Sequence, residues 1–140
     1  INCFDEYTKK EILDDDNQYI NDEGKKVVAK QINFWKFPDV LIITLKRFTN
    51  SIRKNQCLVD FPFDNFDLSK YVIGYDPHSF NYELYGICNH SGGVMGGHYY
   101  AYVKNANNKW YDFNDARVQE IKEADLKTPY AYCFFYRKKK

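Results

Sequence analysis

Two aromatic-rich segments, residues 98–104 and 109–113, flank Asn105-Ala106-Asn107-Asn108 and constrain the fold more than any other stretch of the chain. Aromatic and β-branched residues suit a pleated surface, and an Asn-rich connection suits a tight turn, so the pair predicts a β-hairpin. Asn114 and Asp115 follow the second segment directly. Facing residues in a hairpin keep a constant index sum. If His98 faces Asn114, then Tyr100 faces Asp112 and Tyr102 faces Trp110, and Tyr99, Ala101, Val103, Tyr111 and Phe113 share an apolar opposite face. A one-residue slip would mix the two faces, which burial opposes. The expected register therefore sets His98 against Asn114, about 5 Å apart at Cβ. It sends Asp115 to the other face and requires an odd-length or bulged loop near residues 105–108.

This pairing carries chemistry. A neutral imidazole has one donor and one acceptor nitrogen. The Asn114 amide oxygen can accept a hydrogen bond from Nδ1–H of His98 and fix the tautomer. Nε2 is then free to take a proton from a thiol or to hold a thiolate, as in a cysteine hydrolase. Asp115 would bind backbone donors or position water. Gly92, Gly93, Gly96 and Gly97 precede the histidine, and they suit either tight turning or close approach of a substrate backbone. The same residues also fit a structural strand histidine, so both readings stand on the residues alone.

The bulk properties narrow the class. A chain of 140 residues, 44% hydrophobic and 19% aromatic, is one domain or a piece of one and can bury a core. A net charge of +1 argues against broad electrostatic capture of nucleic acid or of an acidic membrane. The terminal Arg137-Lys138-Lys139-Lys140 reads as a solvated tail. Cysteines at 3, 57, 88 and 133 form no C-x-x-C pair and no evident disulfide framework, which suits reduced thiols in a cytoplasmic or nuclear protein. No apolar run approaches the ~20 residues of a membrane span, and no signal peptide is visible. The first residue, Ile1, suggests an excised or processed fragment.

Along the chain, residues 3–13 suggest a short helix or turn, and 14–26 a polar loop ending in a hairpin-type turn. Residues 27–33 form a weak strand pattern. The run Val40-Leu41-Ile42-Ile43-Thr44-Leu45-Lys46-Arg47-Phe48 reads as a central strand buried on both faces, with 56–59 as an antiparallel partner ended by Phe61-Pro62. Residues 67–71 suggest one helical turn and 73–80 a loop. Residues 82–90 predict a strand and 91–97 a glycine-rich loop. Residues 118–126 suggest a short strand and a short helix, and 131–137 a closing aromatic strand. Together these predict an α+β domain with a dominant antiparallel sheet.

Further motifs give this pattern a family likeness. His90-Ser91-Gly92-Gly93, Gly96-Gly97-His98-Tyr99-Tyr100-Ala101-Tyr102 resembles the histidine box of the ubiquitin-specific proteases, and Trp110-Tyr111-Asp112-Phe113-Asn114-Asp115 resembles the segment with their third catalytic residue. Phe37-Pro38 leading to Leu45-Lys46-Arg47-Phe48, the Phe61-Pro62 step and Ala131-Tyr132-Cys133-Phe134-Phe135-Tyr136 resemble other family motifs in order. The resemblance implies a papain-like cysteine peptidase fold (fingers and palm) and cleavage after the C-terminal glycine of ubiquitin. It implies His98 as general base, Asn114 as orienting residue and Asp115 as accessory polar residue. Phe48, His90, Gly96, Gly97 and Tyr99 would line the channel for the ubiquitin tail. Residues 90–97 and 71–81 would be mobile loops beside it.

The resemblance has two gaps. The family's nucleophile lies in a Gly-Asn-Thr-Cys type segment that this sequence does not contain, and Cys3 sits in what resembles a later helix. Cys57, Cys88 and Cys133 read as small buried strand residues. Residues 1–140 are then expected to be the C-terminal part of a catalytic domain, inactive alone, with the N-terminal part of that domain as a candidate partner chain beside ubiquitin and ubiquitinated proteins. In the region 17–26, Ile20 and Glu23 stand where zinc-binding cysteines would, so neither metal nor other cofactor is expected. A catalytically inactive ubiquitin-binding module of the same fold is the alternative, and an unrelated β-rich interaction domain the outlying one.

Overall fold

The computed structural model describes residues 2–48, 52–75 and 80–140. The chain divides into two compact units, one of residues 1–37 and 68–79 and one of residues 38–67 and 80–140.

The first unit starts with helix α1 (Asn2–Tyr7), followed by β1 (Glu11–Leu13), β2 (Tyr19–Asn21), β3 (Gly24–Lys26) and β4 (Val28–Lys30). β1 pairs with β4 and β2 with β3, both antiparallel. The expected polar loop thus contains a small hairpin, which turns at Asp22-Glu23 where the Asn21 side chain accepts a bond from the Glu23 amide at 3.0 Å. Apolar residues of α1 form an aromatic cluster: Phe4 packs on Phe34, Phe37 and Tyr71. The expected turn at 67–71 is a short 3-10 helix, Ser69–Tyr71. The expected mobile stretch 71–81 falls in part on residues 76–79, outside the described residues.

The second unit is sheet-dominated. Its strands are β5 (Val40–Thr44), β6 (Phe66–Asp67), β7 (Asn81–Gly93), β8 (Gly96–Lys104), β9 (Trp110–Asn114), β10 (Arg117–Ile121) and β11 (Ala131–Lys138). They form one antiparallel sheet in the order β10-β9-β8-β7-β11-β5, with β6 on the first residues of β7. Tyr82, Leu84 and Ile87 of β7 and Phe134 and Tyr136 of β11 form the core, closed by Phe61 against Phe134 and Phe66 against Tyr136. Two buried tyrosines donate their hydroxyls to proline carbonyls, Tyr82 to Pro38 (2.6 Å) and Tyr136 to Pro62 (2.9 Å).

The structure departs from three expectations. β5 is an edge strand among the described residues, not a central one: it pairs only with β11, and Val40 and Ile42 are exposed. A continuous apolar run does not by itself distinguish burial on two faces from burial on one. Residues 56–59 do not pair with β5. The Arg47 guanidinium instead holds the carbonyls of Asn55 (2.8 Å) and Cys57 (3.0 Å), and Cys57 lies exposed outside any strand. The glycine-rich stretch 91–97 is not a loop. β7 and β8 pair down to Gly93 opposite Gly96, leaving only Val94-Met95 as the turn.

Candidate active site

The β8–β9 hairpin is present, with a register two residues from the expected one. Ala101 pairs with Phe113, Tyr102 with Asp112, Val103 with Tyr111 and Lys104 with Trp110. The turn decides this. The Asn105 amide bonds the Lys109 carbonyl, the Asn108 amide bonds the Asn105 carbonyl, and Asn108 takes a left-handed φ of 61°. That is a type I turn closed by a left-handed residue, a common three-residue hairpin loop in which Asn is tolerated. The odd loop length expected from the sequence is therefore found. An offset of two preserves alternation, so His98, Tyr100, Tyr102, Trp110, Asp112 and Asn114 still share a face. The far end of this face is the buried one: Tyr102, Trp110 and Asp112 are each at most 7% exposed.

Asn114 consequently meets His98 diagonally, not directly opposite. Its Oδ1 lies 2.7 Å from His98 Nε2, a distance that makes Nε2 the donor when Asn114 presents its oxygen. The expected bond through Nδ1 is corrected, and Nδ1 is the nitrogen turned away from Asn114. Asp115 does not leave for the other face. It occupies the β9–β10 turn with a left-handed φ of 51°, and its Oδ2 stands 3.9 Å from the same Nε2. Strand continuation would have sent it away, and the turn redirects it. The His98 ring is 45% exposed and lies nearly parallel to Tyr100 at 6.3 Å. Behind it, burial raises the Tyr100 and Tyr102 phenols above the usual range, so both remain hydroxyls. Asp112, buried, is paired with Arg117 at 3.1 Å, which ties β10 to the floor of the hairpin.

A groove of about 440 Å³ lies along the other face of β8, lined by Phe48, His90, Gly93, Val94, Gly96, Gly97 and Tyr99. The structure thus brings Phe48, more than forty residues away in sequence, to the same space as His90, Gly96, Gly97 and Tyr99 of the β7–β8 pair. The His90 ring packs on Tyr99 at 4.5 Å, Phe48 at 5.9 Å and Tyr132 at 5.7 Å. Its edge occupies the volume that a side chain at Gly97 would need: a Cβ there would stand 2.2 Å from His90 Nε2 and 2.6 Å from the Ser91 carbonyl. Gly92 adopts φ of 100°, which L side chains rarely reach. Gly96 faces open space.

Sequence reasoning missed Lys54. Its ammonium donates to the His90 carbonyl and lies 3.0 Å from His90 Nδ1. Burial, reinforced by Lys54, lowers the His90 imidazole below its usual range, and burial with nearby Arg47 lowers the Lys54 ammonium. No local pattern announces the pair, because it joins positions 36 apart in sequence. The four cysteines are free, and none has a sulfur within hydrogen-bonding distance of the His98 ring. Among the described residues no cluster of three or more His, Cys, Asp or Glu side chains could hold a metal ion, and no helix is long and apolar enough to cross a membrane.

Comparison with known proteins agrees with this architecture. Residues 2–136 match the family model described as ubiquitin carboxyl-terminal hydrolase. Ubiquitin carboxyl-terminal hydrolase 9 of Arabidopsis thaliana is 39% identical over 142 residues, covering 97% of this chain and 16% of the relative. Ubiquitin carboxyl-terminal hydrolase 12 of Saccharomyces cerevisiae is 42% identical over 141 residues, covering 96% of this chain and 11% of the relative. A solved structure of the SAGA DUB module with Ubp8, Sgf11, Sus1 and Sgf73 superposes with a TM-score of 0.81 at 31% identity, covering 99% of this chain and 32% of that one. The chain therefore spans about a sixth or less of these relatives' length and a third of the solved chain. Its fold is that of the papain-like ubiquitin-specific proteases, and the chain belongs to the ubiquitin carboxyl-terminal hydrolase family.

Proposed function

We propose that the protein containing this chain is a deubiquitinating thiol peptidase that hydrolyses the bond after the C-terminal glycine of ubiquitin, and that this chain supplies the histidine half of its catalytic site. The 2.7 Å contact between His98 Nε2 and Asn114 Oδ1 carries the reading. Asn114 orients the ring and holds hydrogen on Nε2, which leaves Nδ1 as the base. A thiol supplied by a segment outside these residues gives its proton to Nδ1 as sulfur attacks the carbonyl carbon of the terminal glycine. The imidazolium then returns that proton to the departing amine as the C–N bond breaks. Water, deprotonated by the same nitrogen, hydrolyses the thioester and regenerates the thiol. Asp115, 3.9 Å from Nε2, adds negative charge beside the imidazolium.

The groove at Phe48, His90, Gly96, Gly97 and Tyr99 accepts the ubiquitin tail. A slender segment of small residues suits it, because Gly96 and Gly97 bring strand backbone to the surface without side chains. The partners are ubiquitin and ubiquitinated proteins, with the remainder of the catalytic domain in the same or a second chain. The expected compartment is cytoplasmic or nuclear. A ubiquitin vinyl sulfone probe on the full-length protein tests the activity. Covalent labelling that His98→Ala abolishes supports it. Ubiquitin binding without labelling, the catalytic cysteine segment being intact, shows the inactive binding module instead.

A further inference from the structure

We propose that Lys54 is a positioning residue that holds His90 as the neutral tautomer with hydrogen on Nε2, so that His90 presents an N–H donor within the groove to a carbonyl oxygen of a peptide backbone lying along Gly97. The proposal rests on the groove being the channel for the ubiquitin tail.

An ammonium has three donors and no acceptor. Lys54 Nζ lies 3.0 Å from His90 Nδ1 and also donates to the His90 carbonyl. With the ammonium pointing at it, Nδ1 must be the lone-pair nitrogen, and the ring hydrogen must reside on Nε2. A doubly protonated ring would turn an N–H toward the ammonium, and the like charge opposes that state. Burial acts in the same direction, because His90 is 4% exposed.

The other ring nitrogen, Nε2, packs against Gly97. It lies at the place a Gly97 side chain would occupy, 2.2 Å from the ideal Cβ position. Both His90 and Gly97 line the groove. Among the described residues Nε2 has no hydrogen-bond partner. A buried ring held by Tyr99, Phe48 and Tyr132 with one nitrogen committed to Lys54 therefore keeps its other nitrogen for a groove occupant. An extended peptide presents carbonyl oxygens along its length and is the occupant that such a donor reads without regard to side chain.

The arrangement also explains why Lys54 is placed where it is. Phe48 and Lys54 form an isolated antiparallel bridge, and the Asn55 amide bonds the Arg47 carbonyl at 2.6 Å. Arg47 in turn donates to the Ala131 carbonyl at 2.6 Å. The lysine stem therefore leaves a backbone anchored to the sheet, which limits the entropy lost when its ammonium is fixed.

The experiment uses the full-length protein with ¹⁵N-labelled histidine, the His90 ring signals being those lost in His90→Asn. The expected spectrum has a protonated Nε2 and an unprotonated Nδ1 across neutral pH. Lys54→Met should mix the tautomers and raise the pH at which His90 protonates. Lys54→Arg, which keeps a donor, should restore much of the wild-type pattern. Hydrolysis of a ubiquitin substrate should show an increase in KM of about threefold to tenfold for Lys54→Met with kcat little changed. Hydrogen on Nδ1, or ring signals indifferent to Lys54→Met in a folded protein, overturns the role of Lys54. The expected tautomer with an unchanged KM overturns the backbone-donor role of His90. A wild-type protein that neither binds nor cleaves ubiquitin overturns the proposed function, while the ring signals still decide whether Lys54 sets the tautomer.

Discussion

Asn114 reaches His98 diagonally across the β8–β9 hairpin, 2.7 Å from Nε2, while the ladder register sets Tyr100 at the position facing Asn114. The diagonal explains how one face can hold both a stacked tyrosine and a bonded amide beside the same imidazole. Diagonal neighbours in a sheet lie farther apart than facing ones, and side chains the size of His and Asn span the gap.

This geometry ranks substitutions at the three proposed catalytic residues. In the full-length protein, on the proposed reading of His98 as the base, His98→Ala is expected to lower kcat by roughly 10⁴-fold, as loss of a member does in related catalytic sets. Asn114→Ala should cost less, on the order of 10²-fold, because Tyr100 still packs near the ring while the tautomer is freed. Asp115→Ala should cost less again. Steady-state hydrolysis of a fluorogenic ubiquitin substrate checks the order, and an Asp115→Ala enzyme slower than Asn114→Ala would contradict it.

Gly97 should tolerate no side chain. Gly97→Ala places a Cβ against His90 Nε2 and the Ser91 carbonyl, so ring or backbone must move. The expected destabilisation is about 1–3 kcal/mol, the usual cost of overpacking. Gly96→Ala enters open space and should change stability by less than about 0.5 kcal/mol. Hydrogen exchange of the β7 and β8 amides distinguishes the two.

Arg47 joins three stretches of chain through the carbonyls of Ala131, Asn55 and Cys57. Arg47→Ala leaves these acceptors without their donor and removes a buried stem, at an expected cost of about 3 kcal/mol. Arg47→Lys should recover little, because one ammonium cannot match the spread of a guanidinium fork. Chemical denaturation monitored at the sheet amides measures both.

His90 sets a pH dependence whose sign follows from its lowered pKa. Above the ordinary imidazole value of 6.5 the ring is neutral in both folded and unfolded chains. As pH falls below that value the unfolded chain takes the proton first, so stability of the β7–β8 region declines on acidification. Lys54→Met removes the opposing charge and should weaken the decline. Hydrogen exchange of the β7–β8 amides between about pH 7 and pH 5 follows it, and stability rising on acidification would contradict the assignment.

Much of this fold was legible because its signals are local. Alternation in the β8 and β9 segments predicted the hairpin and assigned His98 and Asn114 to one face. Keeping the two faces unmixed required an odd-length or bulged loop near residues 105–108, and the loop has three residues. The closing strand and the strand before the histidine box appear where their aromatic patterns placed them. β5 misled because apolar runs look alike at the edge and at the centre of a sheet. Gly92, Gly93, Gly96 and Gly97 misled because glycine permits a loop and equally permits the tight β7–β8 pairing that seats His90 beside Gly97.

The sequence alone determined the period-2 pattern, the family likeness and the residue types available at the site. Only the tertiary structure decided that Nε2, not Nδ1, meets Asn114, that Asp115 turns back toward the imidazole, and that Lys54 caps His90. The physical reason is that alternation fixes a residue's face but is blind to an offset of two. That offset is set by the backbone of a three-residue turn, and the Lys54–His90 contact by packing between segments that share no local signal.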